Sequence, residues 1–101
     1  MDQYQRVILT PLNFFEWKDE MEILLREKCL YSFTMATEAE PNAAAEKMKW
    51  HNRRDETYGL LCLRNSRDLL FHLDALTSPN EFWEKLEEIF GNTNDMRGHQ
   101  L

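Results

Sequence analysis

Glycine and proline are scarce, with three of each in 101 residues. Too few turn formers remain for a β fold assembled from many short strands. Cysteine is scarcer still. Cys29 and Cys62 lie 33 positions apart without Cys-x-x-Cys spacing or a companion cluster of ligands, so neither a zinc site nor a redox pair is signalled. They are expected as reduced, partly buried thiols of an intracellular protein. No apolar run approaches the roughly 20 residues of a membrane-spanning helix, and Met1 to Arg6 has no long apolar core behind a basic start, so no secretory signal is read. A soluble, cytoplasmic protein is expected. Basic residues are in deficit: 12 Lys and Arg stand against 18 Asp and Glu, for a net charge of -6 and a pI near 5.0. Broad attraction to nucleic acid or an anionic membrane is disfavoured, because both depend on Lys and Arg neutralising phosphate. Any such binding has to be local.

What the chain does have is apolar periodicity, in a composition that is 43% hydrophobic. That suits one domain with a single core over residues 1–101. The stretch from Thr77 to Gly91 is the best defined. Ser78 is placed to cap the first turn, Pro79 suits the first helical position, and Glu81 completes a capping box. Gly91 is expected to stop the helix in a left-handed conformation. Phe82, Trp83, Leu86, Ile89 and Phe90 form one wide apolar face, with Glu84, Lys85, Glu87 and Glu88 toward water. A helix over Pro79 to Phe90 follows.

Upstream, Thr10 before Pro11 favours extended backbone, so residues 1–12 read as an extended arm. Asn13 and Glu16 then form a second capping box, with Leu12 stapling onto Trp17. The spacing predicts a helix from about Phe14 to about Cys29, with Phe14, Trp17, Met21, Leu24 and Leu25 on one face and Phe15 and Ile23 off it. Leu30 to Met35 is read as an irregular apolar connection, and Thr37 to Asn42 as the clearest loop. Asn42 is expected to cap a helix running from Ala43 to about Leu63, with Trp50, Tyr58, Leu61 and Cys62 on one side and Lys49, Arg53 and Glu56 on the other. A short helix from Ser66 to Leu73 carries Leu69, Leu70 and Leu73. Residues 92–101 read as the start of a further, truncated helix.

Little in the sequence points to chemistry. His51-Asn52-Arg53-Arg54-Asp55 has the outline of a kinase catalytic loop, but the downstream Asn, the glycine-rich loop and the necessary length are missing. His51 and Asp55 are four apart on a helix, yet two ligands do not make a zinc site. His72 and His99 have no nucleophile at a recognisable spacing. No catalytic, cofactor-binding or metal-ligating residue is assigned. Lys47, Lys49, Arg53 and Arg54 around Trp50 form a basic strip with an aromatic, the composition that follows phosphates and stacks a base. Glu46, Asp55 and Glu56 interrupt it, which favours a solvated helix face with Trp50 turned inward. Trp17, Trp50 and Trp83, one on each main helix, read as wedges of a shared core.

The order of these landmarks resembles the N-terminal, capsid-like part of the Gag polypeptide of copia-type long-terminal-repeat retrotransposons. The resemblance spans nearly the whole chain. It rests on Asn13-Phe14-Phe15-Glu16-Trp17 with Met21 and Leu25, on Leu30 and Tyr31, on Trp50 with Asp55, and on Thr77 to Phe90 with Trp83, Leu86 and Phe90. The family usually has Gly near the position of Pro11 and often Trp at that of Tyr31. The resemblance implies an all-helical segment that self-associates into particles, with nucleic-acid binding in a downstream zinc knuckle that this chain does not contain. Four or five helices in a small all-α bundle are therefore expected. The expected function is non-enzymatic: self-association, or an adaptor contact with another protein, of a truncated or domesticated copy. No cofactor, membrane or small-molecule substrate is expected, and nucleic acid is the lesser alternative through the Trp50 strip. Candidate self-association residues are Phe82, Leu86, Ile89, Phe90, Met96 and Leu101, expected to remain exposed as an apolar patch.

Overall fold

The computed structural model describes residues 7–73 and 78–91. Among them are five α-helices and no strand: α1 (Phe14–Glu27), α2 (Ser32–Met35), α3 (Ala44–Leu63), α4 (Arg67–Leu73) and α5 (Pro79–Gly91). A small all-α bundle is what the apolar periodicity specified.

In α1, Phe14, Trp17, Met21 and Leu25 are buried along one face, at the three- and four-residue spacing that stacks side chains on a helix. The helix stops two residues earlier than expected. Cys29 takes φ 61°, its amide donates to Arg26 O at 3.1 Å, and the Leu30 amide donates to Leu25 O at 2.7 Å. This is a Schellman ending with a cysteine where glycine is usual. Its consequence is packing: Leu30 drops into the core beside the turn it closes. The next residues are not irregular as expected but form α2, and Asn80 Nδ2 donates to Thr34 O at 2.6 Å, fastening it to α5.

Helix α5 begins at Pro79 as the sequence specified, with Ser78 Oγ accepting from the amides of Asn80 at 3.1 Å and Glu81 at 3.3 Å, but the expected return bond from Glu81 to Ser78 is not among the side-chain bonds of the described residues. Pro79, Phe82, Trp83, Leu86 and Phe90 are buried. Gly91 is helical, and no described glycine has positive φ, so the expected left-handed stop is not made at Gly91. Helix α4 starts at Arg67, with Ser66 Oγ accepting from the Leu69 amide at 3.3 Å.

Helix α5 packs closely on α2 and α3 and meets α1 through paired aromatic rings. The rings of Trp17 and Trp83 lie 5.9 Å apart, and Phe14 stacks on Phe90 at 5.4 Å. Each large side chain so buried is worth roughly 1.5–3 kcal/mol. Trp17 Nε1 donates to Arg64 O at 2.8 Å, and the Leu9 amide donates to the same carbonyl at 2.7 Å. One carbonyl past the end of α3 thus holds both α1 and the arm.

Two local expectations fail here. Asn13 makes no side-chain cap; its Oδ1 accepts from the Thr10 amide at 2.8 Å and its Nδ2 donates to Ile8 O at 2.9 Å. Leu12 is 96% exposed and cannot staple onto the buried Trp17. The arm is held by Asn13 and by Leu9, which is fully buried. In α3 the N-cap is Ala43 without a side-chain bond, one residue later than expected.

Candidate functional site

The apolar face of α5 is spent on the core. Phe82, Leu86 and Phe90, expected as an exposed self-association patch, are buried against α1, α2 and α3, because the Trp17 face of α1 demands an equally wide apolar partner. Of that patch only Ile89 remains open, at 39%. Met96 and Leu101 lie outside the described residues.

The basic strip is divided among local partners. Lys47 Nζ lies 4.0 Å from Glu40 and Lys49 Nζ 3.8 Å from Glu46. Arg53 turns toward the packed side of α3, contrary to the expected face: its guanidinium sits 5.0 Å above the Phe33 ring and pairs with Glu38. Arg54 is partly buried. Trp50 is partly buried, with its ring 5.5 Å from Phe33 and Nε1 donating to Glu38 O at 3.2 Å. Of the three tryptophans, Trp17 and Trp83 are core wedges and Trp50 packs on the core's edge. A strip that follows phosphates needs lysines and arginines turned outward together. This arrangement uses Arg53 and Trp50 to hold a loop instead.

His51 does not pair with Asp55. Its Nε2 lies 2.8 Å from Glu40 Oε2. No group of three or more His, Cys, Asp and Glu among the described residues is arranged to hold a metal ion, and no helix among them is long and apolar enough to cross a membrane. Cys62 is partly buried, and burial pushes its thiol up, with a hydrogen bond to Tyr58 opposing. Cys29 is exposed rather than partly buried, because the left-handed turn points its side chain out while Leu30 turns in.

The structure brings together a group of residues that the sequence does not signal. The end of α1, α2, the loop after it and the middle of α3 enclose an open notch of about 450 Å³. Glu38 sits in it as an internal anion. Arg53 Nη1 and Nη2 both donate to its carboxylate, and Ser32 Oγ donates to it at 2.8 Å. Arg53 Nη2 also donates to Cys29 O at 2.6 Å. The hydrogen bond from Arg53, then that from Ser32, hold the Glu38 carboxyl below the usual carboxylate range, with burial opposing. On the opposite wall the Arg26 guanidinium lies 4.2 Å above the Tyr31 ring. Nothing in the spacing of Arg26, Glu38 and Arg53 announces the group, since each belongs to a different segment.

No protein-family model, curated protein or solved structure matches the chain. The fold therefore defines its class, a small all-α bundle, from its own geometry alone.

Proposed function

We propose that this chain is a non-enzymatic, Gag-derived helical module that acts by self-association. The observation that supports the reading is where its landmarks lie. Of the residues that carry the resemblance to copia-type Gag, Phe14, Trp17, Met21, Leu25, Leu30, Trp83, Leu86 and Phe90 are buried in the core, while Asn13, Phe15, Tyr31 and Trp50 are half-buried and Glu16 and Asp55 exposed. The buried part of the resemblance concerns how the chain folds.

The contact surface in this reading is not the α5 face, which is already used. Leu63 at the end of α3 and Phe71 on α4 are 63% and 76% exposed, on helices that carry no net negative charge. A second copy covering them would remove apolar area from water at about 25 cal/mol per Å². Replacing Leu63→Glu and Phe71→Glu together is expected to reduce any oligomer to monomer while leaving the helical circular dichroism spectrum unchanged. An oligomer that survives both changes would remove this surface from the proposal.

A further inference from the structure

We propose that the notch beside α2 binds a small phosphate-bearing anion between the guanidinium groups of Arg26 and Arg53, with Glu38 as its built-in competitor. The inference is independent of self-association. It begins from what already occupies Arg53: a carboxylate gripped by two guanidinium nitrogens, with the Ser32 hydroxyl donating to the same group. A planar fork with an added hydroxyl donor is the pattern by which proteins recognise carboxylates and phosphates. The site is thus built for an anion, and the anion it now holds comes from the protein's own loop.

The opposite wall is not neutralised in this way. Arg26 lies over Tyr31 and has no carboxylate partner among the described residues. Among the residues that line the notch two guanidinium groups face one carboxylate, with Glu22 behind that wall accepting from Tyr31 Oη at 3.3 Å. A phosphate monoester, close to doubly charged at neutral pH, suits this better than a second carboxylate, because it answers Arg26 and contests Arg53 at once. Thr37 lines the notch and offers a hydroxyl, while Tyr31 and Met35 give an apolar wall for whatever carries the phosphate.

The phosphate has two possible carriers, a free small molecule or a phosphorylated side chain of another protein, and the test separates them. Phenyl phosphate and a short phosphoserine peptide are titrated into the intact chain, followed by nuclear magnetic resonance of backbone amides and arginine Nε–H groups. Saturable shifts at Arg26, Ser32 and Thr37 are expected. A tighter response to the peptide assigns the site to a protein partner, and a tighter response to phenyl phosphate to a free ligand. Arg26→Gln, at an exposed position, is expected to weaken binding at least tenfold while leaving the helical circular dichroism spectrum unchanged. Glu38→Gln is expected to strengthen it severalfold by removing the competitor, a gain that a purely structural role for Glu38 would not produce. Absence of saturable shifts in the wild-type chain would overturn the proposal. So would binding that neither substitution changes.

Discussion

Single side chains in this core differ in what they hold, and the two central tryptophans separate the contributions. Trp17 is buried and donates Nε1–H to Arg64 O, whereas Trp83 is equally enclosed but its Nε1 has no partner among the described residues. Trp17→Phe removes a bond and opens space, leaving Arg64 O to the Leu9 amide alone, and is expected to cost about 2–4 kcal/mol. Trp83→Phe opens similar space but removes an unsatisfied donor, so its cost should be about 1–2 kcal/mol lower. Urea denaturation of both variants checks this, and equal losses would show that the Trp17 bond contributes nothing. That both residues are interior was legible in the sequence, because each lies on an apolar stripe of helical period. The role of Asn13 was not. A cap residue and a residue that ties down an arm look alike in sequence, and only the position of Ile8 and Thr10 in space decides which donors and acceptors its amide meets.

Helices show the same division. The positions of α1, α3 and α5 were legible from apolar period, to which α5 adds a cap that forms at Ser78 whereas those expected at Asn13 and Asn42 do not; α2 was hidden, since the four residues Ser32 to Met35 are too few to show a helical period. Its formation depends on tertiary contacts, Asn80 to Thr34 O among them. The ends of α1 and α2 carry a testable cost. Cys29 and Ala36 adopt φ of 61° and 57°, a region that costs non-glycine residues about 1–2 kcal/mol, and both side chains are exposed. Cys29→Gly and Ala36→Gly should each stabilise the fold by about 0.5–1 kcal/mol once the looser unfolded chain is allowed for, read as a raised melting temperature. Destabilisation by both would contradict the turn assignment. The loop between α2 and α3 adds a pH dependence. Glu38 is held below its ordinary carboxyl value of 4.5 by Arg53 and then Ser32, so the folded state binds the proton less readily than the unfolded chain. The stabilisation is complete above the unfolded value and disappears as pH falls through the lowered folded one. Glu38→Gln should therefore flatten the acid limb of the stability profile, and an unchanged limb would mean the clasp adds no stability. Glu38 and Arg53 are 15 residues apart in different segments, so no local pattern in the sequence marks them as partners.

At the scale of the whole molecule, charge constrains association. Helix α1 carries five carboxylates and two cations, and α5 four and one, so the entire net charge of -6 resides on two helices that pack against each other and the remainder is balanced. Two copies meeting through α1 and α5 would repel, the more strongly at low salt. The self-association proposed above would therefore use the balanced remainder, where Leu63 and Phe71 are exposed, and added salt should leave it intact or favour it. The measurement that bears most directly on the proposed function is the absolute mass by light scattering, over about a hundredfold range of concentration at low and moderate salt. Self-association as proposed gives a mass of at least twice the 12.2 kDa of the chain, persisting on dilution and not falling when salt is raised. A 12.2 kDa particle at every concentration and salt would contradict it.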